Sequence, residues 1–163
     1  MRLSFLLAAC TLIAGGCAHD ESISEPPLPV STALAPATPR SIIGTPIAIN
    51  GALYLRSDSG TFRLAGYAGA PLVSLLGAIV EVTGTVDLTN VFVVDAFAVR
   101  VVGGQPAVDG ILVAVNGGYA LRLVDGTLRA LVDPPAGLIG YLGCRVWVAG
   151  PSDRAPVAFG VIY

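Results

Sequence analysis

Of the three cysteines in this sequence, Cys17 has the setting best suited to chemistry, because the small residues Ala14-Gly15-Gly16 precede it and leave its thiol open to an enzyme closing on the chain. A thiolate there is a nucleophile. Cys10 lies in an apolar run and Cys144 stands alone in the rest of the chain, so a disulfide framework within one chain is excluded. The single histidine, His19, falls two residues after Cys17. Catalytic arrangements and zinc sites that need a histidine in the folded body therefore cannot be built. The carboxylates Asp58, Glu81, Asp87, Asp95, Asp109, Asp125, Asp133 and Asp153 fall mostly in turn-like contexts, and no two of them form a recognisable acid/base pair in sequence. We expect no enzyme, no metal and no cofactor; a carboxylate-only enzyme is the one catalytic alternative. Despite 20 glycines, no Gly-rich phosphate loop leads into a helix. The candidate ligand-binding residues are Arg63, Arg122 and Trp147. Guanidinium offers a planar fork of donors for a carboxylate, a phosphate or an acidic glycan, although the same arginines can simply keep an exposed face soluble. Trp147 can anchor an interface or be buried against the other half of the body, and that burial is the expectation.

The N-terminal elements account for Cys17. Met1-Arg2 is a minimal positive region, Leu3 to Ile13 is an apolar stretch of signal-peptide length, and a bilayer span would need about 20 such residues. Ile13-Ala14-Gly15-Gly16-Cys17 resembles the lipobox of bacterial lipoproteins, with Ala14 where leucine is commonest. That resemblance implies removal of residues 1–16, lipidation of Cys17 and stable attachment to a membrane through its acyl chains. Ala18 after the cysteine implies sorting to the outer membrane, with the body facing the periplasm. Residues 17–40 then read as a tether, spaced by Pro26, Pro27, Pro29, Pro36 and Pro39, that reaches roughly 70 Å when extended at ~3.1 Å per residue.

Hydrophobic residues make up 54% of the chain and charged residues 12%, enough apolar material for a packed core. A formal net charge of −2 gives no electrostatic footprint for nucleic acid, which is excluded as a partner. The body reads as two copies of one β unit. Ile49-Asn50-Gly51-Ala52-Leu53 lines up with Val108-Asp109-Gly110-Ile111-Leu112, an offset of 59 that also carries Phe62-Arg63-Leu64 onto Leu121-Arg122-Leu123. After a small insertion in the second copy, Gly77 to Gly84 matches Gly143 to Gly150. This pairing makes Arg63 and Arg122 equivalent outward residues, sets Trp147 opposite Glu81, and makes Cys144 a small core residue like Ala78. Turns are expected at Asp58-Ser59-Gly60, Asn116-Gly117-Gly118 and Asp125-Gly126. Helical turns are expected at Leu72 to Leu76 and Leu138 to Leu142, and Val91 to Val102 reads as a strand buried on both faces.

Two strands, a hairpin, a short helical segment before a Gly-led strand and a final strand resemble the OB-fold. Gly51, Leu53, Leu64, Gly77, Val80, Val82 and Gly84 carry the likeness, with Gly110, Leu112, Leu123, Gly143, Val146, Val148 and Gly150 in the second copy. The expected fold is all-β, two small OB-like five-stranded barrels packed together over residues 41–103 and 104–163; a single β-sandwich is the rival. The expected function is that of a non-enzymatic adaptor contacting another envelope protein, and the alternative is a module binding a glycan or small amphiphile, including a lipid.

Overall fold

The computed structural model describes residues 38–163; the expected signal segment, Cys17 and nearly all of the tether lie outside the described residues. The first five strands are β1 (Arg40–Ile49), β2 (Ala52–Ser57), β3 (Gly60–Ala65), β4 (Ile79–Val86) and β5 (Val91–Val102). Asn50 and Gly51 join β1 to β2 with φ of 49° and 77°, the positive values that a tight two-residue hairpin requires. A 3-10 helix, Tyr67–Leu75, leads to β4 and buries Leu72 and Leu75. Pairing runs β1–β2, β2–β3, β3–β5, β5–β4 and β4–β1, so these five strands form a closed circuit. All of these pairs are antiparallel except β3–β5. Leu55, Phe62, Leu72, Val80, Val82, Phe92 and Val99 fill the interior.

The next five are β6 (Gln105–Val115), β7 (Gly118–Arg122), β8 (Leu128–Leu131), β9 (Arg145–Ala149) and β10 (Ala158–Val161), with a four-residue helix, Ala136–Ile139, before β9. Here β6 pairs with β7 and β9, β7 with β8, and β9 with β10; no β8–β10 ladder closes the circuit. Gly103 and Gly104, at φ of 58° and 76°, turn β5 into β6, and two rungs, Val101 with Pro106 and Val102 with Gln105, join all ten strands into one network. The contacts of Ala35–Tyr163 group it as one compact unit. The all-β expectation holds.

The strand patterns of the two halves correspond in a register other than the one read from the sequence. Asn50-Gly51 turns β1 into β2, whereas Gly110, its supposed match, lies in mid-strand. The hairpin that matches is Asn116-Gly117, between β6 and β7. An offset of 66 (50 to 116, 77 to 143, 84 to 150) then carries residues 40–84 onto residues 106–150 without an insertion. Backbone bonds repeat with it: Gly77 N–H donates to the Pro46 carbonyl as Gly143 N–H donates to that of Leu112. So does the closest packing: a Cβ on Gly44 would sit 2.5 Å from the Arg56 carbonyl oxygen, and one on Gly110 would sit 2.6 Å from that of Arg122. Arg122 is thus the counterpart of Arg56, and Arg63 that of Arg129.

Two other expectations are corrected. Strand β5 is buried on one face only, because it carries an extra residue at two places: Asp95 between the pairs Thr83–Ala96 and Gly84–Val94, and Arg100 between Val80–Val99 and Ile79–Val101. These bulges turn both charges outward. Cys144 is exposed, whereas Ala78 is buried. The helix before β9 buries only Leu138, less cover than the nine-residue 3-10 helix lays over the first half.

The second bulge sets Arg100 against Glu81, which also accepts a 2.6 Å hydrogen bond from the Ser41 hydroxyl. That hydroxyl first, and Arg100 second, hold the Glu81 carboxyl below its ordinary value of 4.5. A carboxylate lowered in this way adds stability that is complete above its ordinary value and is lost as pH falls through the lower folded-state value. Glu81→Gln is therefore expected to cost about 0.2–1 kcal/mol at neutral pH and nothing in strong acid, as for an exposed pair. Urea midpoints taken down through pH 4.5 check this: wild type and variant should converge on the acid side.

Candidate functional site at the junction of the two repeats

Where β5 passes β6, the alternation of apolar residues is interrupted by a carboxylate and a guanidinium that meet. Asp109, on β6, is 9% exposed. Its Oδ1 accepts the Val99 N–H at 2.7 Å, and its Oδ2 accepts Arg145 Nε at 2.8 Å and Arg145 Nη2 as well. Arg145, on β9, also donates from Nη2 to the Phe97 carbonyl at 2.7 Å and lays its guanidinium 4.0 Å from the centre of the Phe97 ring. Two residues of the second repeat are thereby bolted to two backbone groups and one ring of β5. Among the described residues no buried side-chain polar atom lacks a partner.

Above this pair opens a cleft of about 340 Å³. The 3-10 helix contributes Ala68 and Pro71, the first bulge of β5 contributes Asp95 and Ala96, and the far wall is Ile111 with Arg122, Leu123 and Val124 at the end of β7. Phe97 and the Asp109–Arg145 pair line it too. Its size falls within the ~300–1,000 Å³ of small-molecule sites. The lining is apolar apart from four charges, two of which neutralise each other.

The three sequence-predicted candidates are not brought together. Arg122 lines this cleft. Arg63 is exposed on the outer face of β3, across from Tyr54 of β2. Trp147 is half-buried against the core of the first repeat, as expected, and lines a separate hollow of about 290 Å³ with Leu76, Val102 and Gly103. Gly160, its cross-strand neighbour, makes room for it: a Cβ there would fall 2.7 Å from the indole nitrogen. The sequence reading listed Asp109 only among the carboxylates and passed over Arg145, although opposite charges inside two apolar strands were the available signal.

The turn carboxylates do local work. The Val91 N–H first, then the Thr89 hydroxyl, hold the Asp87 carboxyl below its ordinary range. Thr127 does the same for Asp125 through its hydroxyl and its N–H. No group of three or more His, Cys, Asp and Glu among the described residues can hold a metal ion. Compared with protein-family models, with curated proteins and with solved structures, the chain has no match.

Proposed function

We propose that this chain is a lipid-anchored protein of the bacterial cell envelope whose β body is a non-enzymatic adaptor for another envelope protein. The apolar stretch before Ala14-Gly15-Gly16-Cys17 and the Pro-rich segment after it support the anchor, with the outer membrane as its destination and the body on the periplasmic side. The body is read as a tandem pair of OB-like modules at residues 41–103 and 104–163. The circuit β1-β2-β3-β5-β4, with a helical segment ahead of β4, supports that reading for the first.

The observation that carries the adaptor reading is the 3-10 helix, which is apolar on both sides. Leu72 and Leu75 point into the core, while Tyr67 and Val73 are 100% and 62% exposed. An all-apolar helix is normally buried all round, and an apolar surface left open marks a contact with another molecule. The decisive experiment is cross-linking of the intact protein in its native membranes, followed by mass spectrometry of what is captured. A stoichiometric protein partner is expected, lost in Tyr67→Ser/Val73→Ser with no fall in thermal midpoint. Cys17→Ser should release the protein from the membrane, and retention there would contradict the anchor. A second reading, a module for a glycan or small amphiphile, is supported by the cleft at the junction.

A further inference from the structure

The charges around the junction cleft define what could fill it. Asp109 and Arg145 neutralise one another and bind two backbone groups, so they form a floor with no net charge, on which only the Nη1 donors of Arg145 are left unengaged. Asp95 and Arg122 remain. They line the cleft from different strands, β5 and β7, both are exposed, and neither has an ion-pair partner among the described residues. Asp95 is the extra residue of a bulge, a device that re-aims a side chain out of its ladder. Apart from these two charges and the Asp109–Arg145 floor the lining is apolar, and Val124, part of it, is 92% exposed.

These features decide among ligand classes. A glycan is recognised by many hydrogen-bonding groups and by open aromatic faces, yet the only aromatic ring here, Phe97, already carries the Arg145 guanidinium. A simple anion such as a fatty acid would gain from Arg122 and lose to Asp95, and a cation the reverse. Only a molecule bearing both charges on an apolar body gains from every wall.

We propose that this cleft binds a small zwitterion with an apolar body, of the class of a dipeptide with free termini, its carboxylate held by Arg122 and its ammonium by Asp95. The proposal rests on the ligand-binding reading of the cleft and narrows it. Because both repeats build the walls, the site exists only when the two are packed together.

Calorimetric titration of the full-length protein in detergent tests it, with leucyl-leucine, N-acetyl-leucyl-leucine, leucyl-leucinamide and decanoate as probes. Leucyl-leucine is expected to bind, and either cap should weaken it about tenfold or more, the loss of one charged hydrogen bond. Asp95→Asn should abolish the difference between leucyl-leucine and its acetylated form. Arg122→Gln should abolish the difference between leucyl-leucine and its amide. Both side chains are exposed, so neither change threatens the fold. Equal affinity for capped and uncapped forms in the wild type overturns the proposal. Binding of decanoate but not leucyl-leucine, sensitive to Arg122→Gln, overturns the zwitterion and leaves a ligand-binding cleft standing. If no probe binds, both fall.

Discussion

Replacing Arg145 with methionine is expected to cost the folded protein about 3 kcal/mol, the lower end of the range for orphaning one partner of a buried ion pair. Asp109 would keep its bond from the Val99 N–H but lose both bonds from the guanidinium. The loss stays low in that range because the Arg145 side chain is 32% exposed and water can partly replace it. In the double variant Asp109→Leu/Arg145→Met, most of that loss should return, since removing both charges abolishes the unpaired carboxylate. About 1 kcal/mol should stay lost for the Val99 N–H left without an acceptor. Urea unfolding followed by Trp147 fluorescence and by circular dichroism measures all three proteins. A loss under about 1 kcal/mol in the single variant would show that the pair does not clamp β6 and β9 to β5.

Gly84→Ala is the second large effect, and it comes from backbone rather than charge. A Cβ at this position in β4 would lie 2.0 Å from the Val93 carbonyl oxygen and 2.7 Å from Cε1 of Phe92, a fully buried ring. A carbonyl engaged in a ladder has little room to withdraw, so we expect a loss of about 3 kcal/mol, the upper end for overpacking. Gly118→Ala in β7 is the control, because a Cβ there meets nothing within 4 Å. It should be neutral or slightly stabilising. Thermal midpoints of the two variants separate the cases; equal midpoints would mean that β4 and β5 can part at the bulge without penalty.

Much of the fold was legible because turn chemistry is local. Asn116-Gly117 and Asp125-Gly126 announced their turns, and the apolar runs before Gly77 and Gly143 announced two short helical segments. The correspondence between the two halves was read in the wrong register, for a reason that lies in glycine itself. Gly51 is a glycine because φ is positive; Gly110 is one because the Arg122 backbone passes too close for a Cβ. A sequence shows both as Gly after a polar residue. The bulges were hidden too, since an extra residue in a strand leaves no trace when both neighbours are apolar, and β5 therefore read as buried on two faces. Trp147 was placed correctly against the core of the other half, because a large apolar ring on β9 is half-buried only by packing on a neighbouring element. The junction cleft was illegible: its walls come from five segments whose meeting depends on the ten-strand connectivity, and only Arg122 among its lining had been picked out for binding.

The two circuits differ in closure, and the difference bears on motion. A strand in a ring cannot leave without breaking two ladders, whereas an open series peels from its ends, one ladder at a time. In the second repeat the ends are β8 and β10, four residues each. The turn that carries Leu123 and Val124 feeds directly into β8, so fraying of that strand moves one side of the junction cleft while β5, held on the closed side, stays still. One jaw of the cleft is thus a strand of a closed ring and the other a turn on a four-residue end strand, whose amide hydrogens are expected to exchange first.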